Sequence, residues 1–352
     1  MKILVIQQKM IGDVLTSSIL FNALREKYAD AHLDYLINEH TFAVVENNPF
    51  IDNFIFFTKK EEDSIKALFK LANSVKNTNY DIVIDVYSKF SSNLISWYSG
   101  AKIRISKYKW YTSLIYTNTI KESSIAKTNA GLAIENRLQM LEPILKENSR
   151  IFKPAIHLKN EELINAKAFL ETHNINLEHP IIMISVLGSG DNKTYPLPYM
   201  AKLIDVIVEK TNAQLLFNFI PKQEPDAKEV YNLCKESTRK KIYFDAYGKN
   251  LREFLSITQH CNALIGNEGG AVNMAKALSI PTFTIFSPWI QKDAWNMFED
   301  GETNISIHLE DVKPEHYLGK SYKEMKKISE QLYNEFSPDQ IIPKLNKFLK
   351  KF

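Results

Sequence analysis

Two successive rounds of one alternation govern what this chain can fold into. Short runs of Ile, Val, Leu, Phe and Tyr recur at KILVIQ (2–7), LDYLIN (33–38), FIFF (54–57) and DIVIDVY (81–87), and segments of helical periodicity lie between them, from about Asp13 to Tyr28 and near 62–76. Such alternation predicts βαβ units, a parallel sheet and helices on both its faces. A helical stretch, GLAIENRLQMLEPIL, fills 131–145, and the pattern breaks across ENSRIFKPAIHLKN (147–160), the expected linker. The alternation then restarts with IIMISVL (181–187), QLLFNF (214–219), KIYFDA (241–246), NALIGN (262–267) and TFTIFS (282–287), with helices expected near 198–210, 226–236, 250–260 and from about Gly270. The expectation is an α/β protein with two Rossmann-like domains, 1–155 and 156–335, facing across a cleft that the C-terminal ends of both sheets' strands line. Residues 336–352 read as a closing amphipathic helix. Ser337 stands as its N-cap and Pro338 as its first residue, and Ile341, Leu345, Phe348 and Phe352 form one stripe.

Composition narrows the function classes. With 45% hydrophobic and 24% charged residues the chain reads as a globular protein. It has no apolar stretch long enough for a bilayer, and its N-terminus enters a strand at once, without the apolar segment and cleavage site of a signal peptide, so the cytoplasm is the expected compartment. Cys234 and Cys261 lack metal-ligand spacing and read as buried reduced thiols. A net charge of +3 is too balanced for nonspecific wrapping of nucleic acid. The basic excess is local: between Gly100 and Ala130, Lys102, Arg104, Lys107, Lys109, Lys121 and Lys127 meet Glu122 alone, interleaved with Tyr108, Trp110, Tyr111 and Tyr116. That segment suits an anionic acceptor or the membrane carrying it, and equally an ordinary solvated edge.

Four turns stand where chemistry is expected. The first strand ends in QQKMIGDVLTSS, where Gly12 permits a tight turn and Asp13 is either an N-cap or a carboxylate able to take a proton from an incoming hydroxyl. ISVLGSGDNKTYP (184–196) carries Gly188, Gly190 and Lys193 on the loop leaving the restarted first strand, where a lysine either meets a phosphate or is merely solvated. The loop has neither the lysine-serine pair of a P-loop nor a full GxGxxG, which excludes those two nucleotide sites. Glu224, in IPKQEPDAKEVY, sits before a helix, positioned for a ribose contact or for the helix dipole. In IGNEGGAVNMAKALSIPTFTIF, Glu268, Gly269 and Gly270 occupy a strand-to-helix turn. Two adjacent glycines, from eleven in the chain, expose backbone N–H groups there to an anion, with close packing against the sheet as the alternative.

Taken in order, these segments resemble glycosyltransferase family nine, the heptosyltransferases of lipopolysaccharide synthesis, over nearly the whole chain. ILVIQQKMIGDVLTSSILFNALREKY and IGNEGGAVNMAKALSIPTFTIFSPW carry most of the likeness; LDYLINE, the DNKTYP loop and PKQEPDAKEV add to it. The resemblance implies a GT-B fold, a nucleoside diphosphate sugar donor on the C-terminal domain, an acceptor on the N-terminal domain and metal-independent inverting transfer without a cofactor. It implies Asp13 as base, Lys193 as phosphate ligand, and Gly188, Glu224, Glu268, Gly269, Gly270 and Asn273 around the donor. Gly12, Lys102, Arg104, Lys107 and Lys109 fall on the acceptor side, facing a lipid-linked or oligosaccharide acceptor, with peripheral contact to the inner membrane. The chain departs from the family pattern at the donor turn. Glu268 and Gly269 stand where Asp and then Ser or Thr are usual, and Asn273 stands where His is usual, so donor identity does not carry over. On fold alone, a sugar-nucleotide epimerase or a non-catalytic nucleotide-sugar binder stands as the alternative.

Overall fold

KILVI at Lys2–Ile6 forms β1, and its residues from Ile3 to Ile6 are fully buried, as a strand covered on both faces requires. Around it, β2 (His32–Asn38), β3 (Asn53–Phe57), β4 (Ile82–Asp85), β5 (Ile103–Lys107) and β6 (Asn118–Ile120) pair in parallel in the order β3-β2-β1-β4-β5-β6. The second sheet joins β7 (Ile181–Ser185), β8 (Gln214–Asn218), β9 (Ala263–Asn267), β10 (Thr282–Ile285) and β11 (Asn304–Ile307), all parallel, in the order β11-β10-β9-β7-β8. This computed structural model describes residues 1–145 and 150–352, and the chain divides into two units, Met1–His157 and Leu158–Phe352.

Several expected elements are altered in detail. The first helix is two, Ile11–Ser17 and Ile19–Lys27, meeting at Ser18. The 131–145 stretch is also two, Leu132–Gln139 and Glu142–Leu145; the restart puts Pro143 in a first turn, where its missing N–H costs no helical bond. Residues 147–149 of the expected linker lie outside the described residues, and its remainder from Arg150 to Lys159 forms neither helix nor strand. KIYFDA gives only an isolated bridge, Ile242 to Leu215, because the chain turns back through a bond from Ala246 N to Tyr243 O; Ile242 and Phe244 still enter the core. Helices Phe90–Tyr98 and Asn160–Thr172 and strands β5, β6 and β11 add to the predicted set.

The closing helix, Pro338–Leu349, packs within the second unit, burying Ile341, Leu345 and Phe348 against its core. Ser337 occupies the N-cap position but makes no side-chain cap bond. Both cysteines are buried, which pushes their thiols up to about 12. No helix among the described residues is long and apolar enough to cross a membrane.

Candidate functional site

In the first sheet the strand order reverses between β1 and β4, and a parallel sheet opens a crevice beyond its carboxyl ends at such a point. The loops leaving these strands carry Gln8 and Ser88. They are tied by Ser91, whose Oγ donates to Gln8 Oε1 at 2.5 Å. Asp13 belongs to this crevice as the third residue of the Ile11–Ser17 helix. It is not the N-cap, since that position falls to Met10. Its Oδ1 instead accepts a hydrogen bond from Arg137 Nη2 at 2.6 Å. Arg137 is fixed by two further bonds, Nε to Ser17 Oγ at 2.9 Å and Nη1 to Ala133 O at 2.7 Å, so one Asp13 oxygen is committed to a rigid cation. Gly12 contributes its carbonyl to Thr16 Oγ1 at 2.6 Å.

The basic residues of 102–109 have different fates. Lys102 is exposed and Lys107 half-buried. Arg104 turns inward, its Nε and Nη1 bonding Ile115 O and Ala101 O at 2.8 and 2.6 Å, so its guanidinium supports the β5–β6 connection. Lys109 bonds Ser88 O, and burial together with the charges of Lys107 and Lys89 holds its ammonium below the usual lysine range. Tyr116 also departs from the expected surface. It is buried, with its hydroxyl 2.6 Å from Asp85 Oδ2, and burial raises the pKa of the fully enclosed Asp85 carboxyl.

The second sheet reverses between β7 and β9, and the Lys193 loop and the Glu268–Gly270 turn leave those two strands side by side. Lys193 Nζ stands 3.5 Å from Glu268 Oε1, a charge contact longer than a strong hydrogen bond, and 5.6 Å from the centre of the Trp289 ring. Burial raises the pKa of Glu268, and the Lys193 charge opposes that shift. Asn267 joins the two loops: its Oδ1 accepts from Tyr195 N at 2.7 Å, and its Nδ2 donates to Ser185 O and Val186 O at 3.0 and 2.9 Å.

The glycines here serve different ends. A Cβ on Gly188 would sit 2.1 Å from Lys193 O, so Gly188 is required by the loop's own packing. Gly269 is not, for a Cβ there would meet nothing within 4 Å; its backbone at φ 149° and ψ −162° lies in a region open essentially to glycine alone. Gly270 begins the Gly270–Ala277 helix and is exposed, with only Met274 Cε near, at 3.9 Å from its added Cβ. The close-packing explanation of this pair therefore fails, and the turn presents open backbone at a helix N-terminus.

Glu224 is the first residue of its helix and exposed; its neighbour Gln223 donates from Nε2 to Gly188 O at 2.8 Å, which links this turn to the Lys193 loop. Asn273 is half-buried one turn into the Gly270–Ala277 helix. On the next turn Lys276 donates to Met297 O at 2.6 Å, and burial lowers its pKa to about 8. Arg137, Asn267 and Trp289 were not singled out from sequence. Asn267, a polar residue closing an apolar strand, was the one with a visible signal.

Two α/β units with all-parallel sheets, each bearing polar loops at its strand reversal, are the architecture of the GT-B fold. The chain belongs to glycosyltransferase family 9, the heptosyltransferases, whose family model matches residues 68–323. It is 24% identical over 300 residues to lipopolysaccharide heptosyltransferase 1 of Campylobacter coli, covering 81% of this chain and 84% of that one. The crystal structure of a family 9 glycosyltransferase from Veillonella parvula superposes with a TM-score of 0.83 at 20% identity, covering 100% of this chain and 98% of the other. The ADP-heptose lipopolysaccharide heptosyltransferase II of E. coli gives 0.74 at 18% identity, over 100% and 99%. The protein is thus a glycosyltransferase of heptosyltransferase type, a different class from the epimerase and the non-catalytic binder that fold alone allows.

Proposed function

We propose that this enzyme transfers a sugar, heptose being the first to test, from a nucleoside diphosphate to an anionic lipopolysaccharide-core or related glycan acceptor, with inversion and without a metal. The names of its relatives support the substrate classes, since one is a lipopolysaccharide heptosyltransferase and another an ADP-heptose lipopolysaccharide heptosyltransferase. The observation that carries the reading is the meeting of Lys193 with the open Glu268–Gly270 turn at the strand reversal of the second sheet. As the bond from the anomeric carbon to the diphosphate breaks, negative charge grows on the leaving oxygen. Lys193 and the N–H groups of the turn stabilise it, most strongly in the transition state. Glu268 shares the lysine's charge and holds its ammonium near the turn until phosphate arrives.

On the acceptor side, Asp13 takes the proton of the attacking hydroxyl while the new bond forms at the anomeric carbon. Arg137 holds Oδ1, so Oδ2 is the oxygen that receives the proton. Lys102 and Lys107, whose ammonium groups are not drawn into the fold as the Arg104 guanidinium and the Lys109 ammonium are, face the acceptor's negative groups. The test is Asp13→Asn, which keeps an oxygen for Arg137 and removes the base. Turnover should fall by about two orders of magnitude or more, with donor affinity little changed. Near-parental turnover in a folded variant would leave Asp13 as a partner of Arg137 only.

A further inference from the structure

Building on the function proposed above, in which Lys193 meets the departing diphosphate, we infer that Trp289 positions that lysine, fixing both the loop that carries it and the place of its ammonium. Lys193 ends the short turn Asp191–Lys193 on the loop that leaves β7, and its side chain is 31% exposed. A lysine so placed has a long flexible stem, and ordering it costs side-chain entropy. The contact with Glu268, at 3.5 Å, is too long to hold it alone. The Trp289 ring supplies a second hold. Lys193 Nζ lies over it, 5.6 Å from its centre, within the range at which a ring face attracts a cation.

The same indole holds the backbone. Its Nε1 donates to Asn192 O at 2.6 Å and Ser287 Oγ donates to that carbonyl at 2.9 Å, so the segment following β10 takes both lone pairs of the residue before Lys193. In the sheet, β9 stands between β7 and β10, and the loop of β9 is the Glu268–Gly270 turn. The bonds to Asn192 therefore join the two loops that flank this turn. The segment is itself secured. The Tyr317 hydroxyl donates to Pro288 O at 2.6 Å, and His308, whose Nδ1 accepts from Glu310 N at 3.1 Å, gives its Nε2 hydrogen to Ser287 O at 3.2 Å. Trp289 thus serves residues 192 and 193 at once, by its N–H and by its face. Phenylalanine would keep the face and lose the donor, and leucine would lose both. Lys326 Nζ lies 4.7 Å from the centre of the same ring, so the ring has two cationic neighbours and Lys326 is the rival for its effect.

The experiment is a double-mutant cycle on the full chain, read by calorimetric titration with ADP, with thermal unfolding first showing each variant to be folded. Trp289→Leu should raise Kd about tenfold, and Trp289→Phe, which keeps a ring for the ammonium, should raise it less. On the Lys193→Met background Trp289→Leu should add less than about twofold, because the residue it positions is gone, whereas on the Lys326→Met background its full effect should remain. Nuclear magnetic resonance gives a second readout, which a merely structural role would not move. The indole N–H signal of Trp289, identified by its absence from Trp289→Phe, should shift in unliganded Lys193→Met and again when ADP is added to the parent. Should Trp289→Leu not fold, this signal decides, since Lys193→Met keeps the tryptophan. A Trp289→Leu variant that binds ADP like the parent, an effect that multiplies unchanged through Lys193→Met or vanishes with Lys326→Met, or an indole signal that ignores Lys193→Met overturns the inference. Those results leave the functional reading standing as long as Lys193→Met by itself weakens ADP binding; a Lys193→Met variant that binds ADP like the parent refutes that reading and this inference together.

Discussion

Gly270→Ala separates what the donor turn does for the fold from what it does for a ligand. Val at Gly269 would be a poor probe, because any side chain there is strained: at φ 149° even Ala costs about 1–3 kcal/mol, whether or not phosphate binds. Gly270 carries no such demand, and its added Cβ makes only ordinary contact, 3.9 Å from Met274 Cε. Replacing a helical glycine by alanine stabilises a fold by up to about 1 kcal/mol, and less at a first helical position. The melting temperature should therefore hold or rise slightly. Binding should move the other way. Cβ atoms in a helix lean toward its N-terminus, which places this one in the space that an anion on the turn would occupy. Losing one charge-assisted N–H bond costs about 1.5–3 kcal/mol, which is roughly a ten- to hundredfold rise in Kd. Calorimetric titration with ADP, paired with thermal unfolding, measures both effects on one preparation. A variant as stable as the parent that binds ADP equally well would refute the reasoning and remove the diphosphate from this turn.

Transfer activity should survive exhaustive chelation, because the proposed function assigns to Lys193 and the helix N-terminus the charge that a metal would otherwise supply; activity lost to EDTA and restored by magnesium or manganese would contradict this. Stability should fall on acidification through His308. Burial lowers its pKa to about 4 from the ordinary 6.5, so between those values the unfolded chain binds the extra proton and stability rises with pH. From pH 7 to pH 4 the loss from this residue is about 2–3 kcal/mol. His308→Gln should flatten the difference in urea midpoint between pH 7 and pH 5, and an unchanged difference would assign the acid sensitivity to other groups.

What could be read in the sequence follows from how local each signal is. Strands β1, β2, β7 and β9 lie in sheet interiors and must be apolar on both faces, so runs such as KILVI and ALIGN announce themselves. Strand β5, IRISK, alternates Ile103 and Ile105 with the polar Arg104 and Ser106 and ends on Lys107, and β6 has only three residues, so neither differs from a polar loop until its neighbour is known. The Phe90–Tyr98 helix was hidden by its serines and exposed aromatics, which blur the apolar stripe. That Asp13, Lys193 and the glycine pair stand on segments following strands was legible because strand-to-helix turns are local. Arg137 was not, for it reaches Asp13 across 124 residues of chain and sits in a helix where arginine is commonplace. Lys102, Arg104, Lys107 and Lys109 looked equivalent as charges; only the fold shows that Arg104 bonds carbonyls while Lys102 faces solvent.

The Asn267 side chain has a consequence for how this enzyme meets its donor. A carboxamide both accepts and donates, and this one does so toward Tyr195 on one side and Ser185 and Val186 on the other. Aspartate has no N–H to give, leucine has neither function, and glutamine is a methylene too long, so the position admits asparagine and little else. These three bonds tie the two loops to each other through protein groups alone. On the function proposed above, a donor bound at these loops is expected to have less loop ordering to impose on arrival, leaving more of its contact energy as affinity. Selectivity among donor sugars is expected to drift through side chains that border this frame, Asn273 among them, while the frame itself stays fixed.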